Sequence, residues 1–194
     1  VETSYSDGEN ASYRLMSNGF EGESKSTWYS VSASVAIKGE GEARPSDYWY
    51  GSSLFYDKLP KTDIGSVALE RVLRKLGQKK AKSGKYTMVV DPINSGRMLS
   101  PVLSALYGSS LQQKNSFLID KLDQKVFSDK LTVMDDPHVI GANGSRYFDN
   151  EGVATEHRPI FENGVLKTYF FDTYNAKKMG VAPTISGPSR LVLT

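Results

Sequence analysis

The chain has no cysteine and only two histidines among its 194 residues. Without cysteine there is no disulfide, no iron–sulfur cluster, no cysteine-ligated zinc and no thiol nucleophile. His138 and His157 are too few for a three-histidine zinc site. An excess of either charge is also missing. Against 24 Lys+Arg stand 22 Asp+Glu, a net +2, which gives no strong field to recruit nucleic acid or an anionic membrane. No stretch approaches the ~18 apolar residues of a membrane span. The polar opening Val1-Glu2-Thr3-Ser4 is not a secretory leader. No Gly-x-Ser-x-Gly nucleophile elbow occurs. Ser83-Gly84-Lys85 is not a phosphate loop, because Lys79 holds the position of the first glycine and Tyr86 follows the lysine.

The residues that remain describe a folded chain. Hydrophobic residues make up 39% and aromatics 11%, enough for a core in one domain or a little more. There is no initiator Met, and the apolar end Leu191-Val192-Leu193-Thr194 resembles a strand. Residues 1–194 are therefore read as a single domain or as a fragment of a longer protein. A cytoplasmic location is the expectation, though zero cysteine removes the redox argument in both directions.

Tyr29, Val31, Ala33, Val35 and Ile37 alternate with Ser30, Ser32, Ser34, Ala36 and Lys38, the period of a half-buried strand. Ala11 to Ser17 is its expected partner, joined through Asn18-Gly19 and a run reaching Ser26. A third strand is expected over Asp47 to Asp57, dense in aromatics. Asp63 should cap a helix with Ala68, Leu69, Val72, Leu73 and Leu76 on its apolar face and Gly77 as terminator. Tyr86 to Val90 reads as a short buried strand. A second helix carries Leu99, Val102, Leu103 and Leu106; Pro101 either starts it, with Ser100 as cap, or kinks it. Lys130 to Met134 is a further strand. Val153 to Phe161 and Val165 to Phe171 flank the hairpin signal Glu162-Asn163-Gly164. Thr173 to Met179 is a helix ended by Gly180. The irregular order predicts an α+β fold with mainly antiparallel sheets and two to three helices.

No complete catalytic constellation emerges from the residues alone. Asp135, Asp136 and His138 form a tight acid–histidine cluster, and Glu156 with His157 a looser one. Either could ligate a metal, but Asp-Asp-Pro after a strand is also turn chemistry. Asp149, Glu151 and Asp172 are open to acid–base work or to turns and salt bridges with Arg146, Arg158 and Lys167. Arg71 to Lys85 carries seven cations and no acid, either an anion-binding patch or a solvated helix end. The aromatic strand Tyr48 to Tyr56 either stacks on sugars or bases, or packs a core on one side and an interface on the other.

A longer pattern runs through the last two thirds. It comprises Lys130-Leu131-Thr132-Val133-Met134-Asp135-Asp136-Pro137, Gly144-Ser145, and Phe148-Asp149-Asn150-Glu151-Gly152-Val153. It continues with Ile160-Phe161-Glu162-Asn163-Gly164-Val165-Leu166-Lys167 and Tyr169-Phe170-Phe171-Asp172-Thr173-Tyr174-Asn175-Ala176. This series resembles the TldD/PmbA family, the "modulator of DNA gyrase" proteins, well over Asp63 to Arg190 and more loosely over Ser4 to Tyr56. The resemblance implies a cytosolic zinc protease of two related subunits. One subunit bears a His-Glu-x-x-x-His helix whose histidines bind zinc and whose Glu activates water. Ser100, Pro101 and Ala105 occupy those three positions here, within Gly96 to Gly108, and the later cysteine ligand has no counterpart. The resemblance thus implies a PmbA-type subunit with no catalytic residue, metal ligand or cofactor of its own. Zinc would reside in a TldD-type partner, and unfolded peptide would be the substrate. Asp149, Glu151, Gly152, Asn163 and Gly164 are the expected substrate or subunit contacts. The family pattern also implies an N-terminal α/β domain and final C-terminal strands, which residues 1–194 are not expected to contain. A homodimer is compatible with this reading, while a membrane role and nucleic-acid binding are not expected. The alternative is a non-enzymatic module binding nucleic acid or glycan through the aromatic strand and the basic stretch, including Lys79, Lys80 and Lys82.

Overall fold

The computed structural model describes residues 1–194. Its strands all pair antiparallel within two sheets, accompanied by four α-helices, so the α+β expectation holds. The chain divides into two compact units, one of residues 1–13 and 23–86, the other of residues 14–22 and 87–194.

The first unit is a three-stranded sheet in the order β1 (Glu2–Leu15), β2 (Glu21–Ala36), β3 (Ser46–Ser53), with helix α1 (Ile64–Leu73). The period-two pattern sorts the faces as read. Ala33 and Val35 on β2 meet Ile64, Ala68 and Val72 of α1 in a buried cluster, edged by Val31, Ile37 and Trp49. Asp47 on β3 ties α1 down, accepting from Lys75 Nζ at 3.2 Å, with Arg71 Nε at 3.5 Å. Burial pushes the Asp47 carboxyl up, but the Tyr48 N–H, Lys75 and Arg71 outweigh it and hold it below the usual range.

Four expectations are corrected here. The β1–β2 link is only residues 16–20, closed by Met16 N–H donating to the Phe20 carbonyl, so the run to Ser26 belongs to β2. Asp63 does not cap α1 with its side chain. It sits at φ +63°, and its carbonyl accepts from Val67 N–H and Ser66 Oγ. Leu69, Leu73 and Leu76 are exposed, because α1 meets the sheet along the narrower Ile64–Ala68–Val72 stripe. Tyr86 to Val90 forms no strand: no partner ladder reaches it, and Tyr86, Met88 and Val89 are exposed.

The second unit is built on a four-stranded sheet in the order β6 (Val165–Leu166), β5 (Arg158–Glu162), β4 (Val133–Asp135), β7 (Leu191–Leu193). Helices α2 (Pro92–Ser104), α3 (Gly108–Gln112) and α4 (Thr173–Met179) complete it. Its core gathers Leu106, Leu118, Val133, Ile160, Phe161 and Phe170, among others. The Asn163-Gly164 turn has φ +48° and +77° and joins Glu162 to Val165, the two positive values that a two-residue hairpin of this twist needs. Helix α4 starts at Asp172, whose carboxylate accepts from Asn175 N–H at 2.6 Å, and ends on Gly180 at φ +68°. Of the two alternatives for Pro101, the structure excludes a start there, with Ser100 as cap, and places the proline inside helix α2. Asp91 caps it, Pro92 opens it, and Pro101 lies inside its last turn.

Candidate functional site

The helix that carries Ser100 and Pro101, two of the positions the resemblance compares with the metal helix, is α2. None of its residues is buried; Ser100 and Pro101 are exposed, and Ala105, its C-cap, is packed into the core. The other expected site residues cluster in two loops of the same unit.

The first loop is residues 148–153. Asp149, only 2% exposed, folds the loop around its own carboxylate. Oδ1 accepts from Glu151 N–H at 2.8 Å and Val153 N–H at 3.0 Å, and Oδ2 accepts from Ser186 N–H at 2.9 Å. Burial raises its pKa, but these donors outweigh burial and hold the carboxyl below its ordinary value. Glu151 reaches α4, accepting from Thr173 N–H and Thr173 Oγ1, both at 2.8 Å. Gly152 lies at φ +74° beneath Phe20, where an added Cβ would come within 2.7 Å of the ring. Phe20 in turn meets Phe148 edge-on at 5.0 Å. The carboxylates Asp149, Glu151 and Asp172 thus serve backbone N–H groups rather than salt bridges. Arg146 and Lys167 go elsewhere, to the 187–189 segment and to Asp123.

The second loop is the Asn163-Gly164 turn. Asn163 is exposed, and its N–H donates to Thr132 Oγ1 at 3.1 Å. Gly164 is buried, and its carbonyl accepts from Val126 and Phe127 N–H. A Cβ on it would lie 2.5 Å from the Ser128 carbonyl oxygen.

The acid–histidine cluster is not assembled. Asp135, fully buried, accepts from Ser189 and Arg190 N–H at 2.9–3.0 Å. Asp136 pairs with Arg190 at 3.3 Å, and His138 Nε2 meets Thr155 Oγ1 at 3.0 Å. His157 is exposed. No group of three or more histidine, aspartate and glutamate side chains is placed to hold a metal ion. Sequence reasoning missed two anchors. Asp135 fastens the segment entering β7, whereas the sequence offered Asp135 and Asp136 only as metal ligands or as a local turn. Phe20 seats on Gly152 across a sequence gap that no motif spans.

This α+β arrangement, with a sheet-and-helix unit followed by a second mixed unit, is matched by two family models. The PmbA/TldA metallopeptidase central domain matches residues 1–76, and the PmbA/TldA metallopeptidase C-terminal domain matches residues 83–192. The chain belongs to the TldD/PmbA metallopeptidase family. A metalloprotease PmbA homolog from Haemophilus influenzae is 35% identical over 161 residues, which cover 82% of this chain and 35% of that protein. A crystal structure from Bacteroides thetaiotaomicron, provisionally named a modulator of DNA gyrase, is 69% identical with a TM-score of 0.96, over 99% of this chain and 44% of that one. A similarly named structure from Thermotoga maritima is 26% identical with a TM-score of 0.88, over 99% and 46%. The chain spans about a third of the length of the curated relatives it matches. No helix is long and apolar enough to cross a membrane.

The family name implies a metal, and α2 does not fit one. Pro101 and Ala105 offer no donor atom, and Ser100 offers a lone neutral hydroxyl, a weak substitute for imidazole.

Proposed function

We propose that this chain is the non-metal subunit part of a TldD/PmbA-type cytosolic peptidase acting on unfolded peptides. A TldD-type partner supplies the zinc and the activated water. The observation that carries this reading is α2: the positions the family resemblance assigns to two ligands and a base hold Ser100, Pro101 and Ala105. The metallopeptidase matches over both units support the family context.

In this reading the chain's own contribution is to hold peptide. No strand pairs with the outer side of β7, and backbone hydrogen bonds along such an edge bind chain without reading sequence. Of the five expected contacts, Asn163 is exposed at a hairpin tip and is the one that touches peptide or partner. Asp149, Glu151, Gly152 and Gly164 shape the loops that present it.

The test mixes the full-length protein with a TldD-type homologue and follows peptide cleavage and bound zinc. The expected result is no zinc and no cleavage with this protein alone, and cleavage in the mixture. Chelator-sensitive cleavage by this protein alone overturns the proposal.

A further inference from the structure

The chain contains three Asn-Gly pairs, at residues 18–19, 143–144 and 163–164. Asparagine is a thermolabile side chain. A glycine after it has no Cβ to crowd its own backbone nitrogen, and that nitrogen can attack the asparagine Cγ. The three pairs share this intrinsic chemistry, so the fold decides which of them reacts. All three asparagines are exposed, and access of water does not separate them.

The glycine N–H groups do separate them. Gly19 N–H donates to the Met16 carbonyl at 3.0 Å, and Gly164 N–H to the Leu131 carbonyl at 2.8 Å. Asn18 is held at its other end too, where Oδ1 accepts from Phe20 N–H at 3.1 Å. Each of these two nitrogens must break its hydrogen bond before it can turn on the side chain, so its reaction waits for local opening. Gly144 differs. It is exposed, and neither its N–H nor the Asn143 side-chain amide makes a hydrogen bond. Asn143 and Gly144 are the central pair of a turn that Ser145 N–H closes on the Ala142 carbonyl at 3.3 Å. The glycine has φ +84° there, as a type II turn requires. A Cβ on Gly144 would stand 2.5 Å from the Ser189 carbonyl oxygen, so this turn keeps a glycine behind Asn143.

We propose that Asn143 is a site of spontaneous deamidation, selected from the three pairs by its free Gly144 nitrogen. That nitrogen bonds to Asn143 Cγ, the Cγ–Nδ2 bond breaks, and the proton of Gly144 N leaves with the amide group as ammonia. Water then opens the resulting succinimide ring. Addition at Cγ returns the main chain to its original path and leaves aspartate. Addition at the main-chain carbonyl leaves isoaspartate, with the chain running through Cβ and Cγ. No oxidant or cofactor takes part. Either product places a new negative charge on the loop that Arg146 N–H closes on the Pro137 carbonyl at 3.0 Å. The isoaspartyl product carries a carboxylate of the kind that S-adenosylmethionine-dependent carboxyl methyltransferases modify. This chemistry needs no partner subunit and no metal, so it stands apart from the peptidase reading.

Ageing the full chain at mildly alkaline pH, followed by peptide mass spectrometry, tests it. Trypsin places the three pairs on separate peptides, ending at Lys25, Arg146 and Lys167. In the native protein the peptide of Asn143 should deamidate at least about tenfold faster than those of Asn18 and Asn163. In urea, where the hydrogen bonds of Gly19 and Gly164 are gone, the three rates should fall within roughly threefold of one another. Methyl transfer from S-adenosylmethionine by an isoaspartyl carboxyl methyltransferase should label the same peptide of the aged native protein. Asn143→Gln should remove both signals with the far-ultraviolet circular dichroism unchanged. Equal rates in the native protein, or a faster reaction at Asn18 or Asn163, overturn the proposal. So does an unreactive native Asn143 while the urea-unfolded chain reacts. A preference for Asn143 that persists in urea overturns it as well, because local sequence rather than the fold would then make the choice.

Discussion

Asp149 shows how much of the predicted contact set is spent on internal order. Its carboxylate satisfies three backbone donors, and an asparagine of equal size would turn one acceptor oxygen into a donor facing an N–H. Asp149→Asn should cost about 2–3 kcal/mol at neutral pH, read by urea unfolding. The sign with pH follows from a carboxyl held below its ordinary 3.8 in the folded state. Its stabilisation is complete above that value and fades as pH falls through the lower folded value. The native protein should therefore lose stability on acidification below about pH 4, with a smaller acid slope in Asp149→Asn. Two glycines give a sharper contrast. Gly164 and Gly180 both sit at positive φ, but only Gly164 would drive a Cβ into backbone carbonyls. Gly164→Ala should cost about 3 kcal/mol or more, and Gly180→Ala about 1 kcal/mol. Melting temperatures of the two variants, side by side, check the order.

At the scale of elements, α2 carries its own irregularity. Pro101 lies in a helix interior where a backbone N–H would otherwise bond one turn back. Pro101→Ala should stabilise the chain by about 1–3 kcal/mol in urea unfolding. A loss of stability would show that the ring is packed rather than merely tolerated. The elements also mark what the sequence could convey. Local codes were legible: Asn163-Gly164 named its hairpin, and Asp172 with Gly180 bounded α4, because each signal is satisfied by its neighbours in the chain. Tyr86 to Val90 looked like a strand and is not one, since a strand exists only through a partner that local composition does not specify. The site was less legible than the fold. That Pro101 and Ala105 carry no side-chain donor atom, and Ser100 only a neutral hydroxyl, was readable from their chemistry. That Asp135 and Asp149 serve distant N–H groups of Ser189 and Ser186 was not, because those partners are 54 and 37 residues away.

The whole molecule has two compact units, and the boundary between them falls at Tyr86 and Thr87. The matched family domains part at nearly the same place, between residues 76 and 83. Residues 78–89 are exposed and outside any helix or strand. They include Lys79, Lys80, Lys82 and Lys85, so the basic stretch is an accessible connector. Trypsin should make its first cut among these four lysines, ahead of Lys125 and Lys167, as mass spectrometry of an early time point would show. A first cut elsewhere would mean that the connector is shielded. The tip of the β1–β2 hairpin, residues 14–22, groups with the second unit through Phe20, Gly152 and Phe148. A ribosome releases residue 20 long before residue 152. The hairpin tip therefore waits during synthesis for a seat that has not yet been made, and that docking is a late step in folding, governed by the closure of a very long loop.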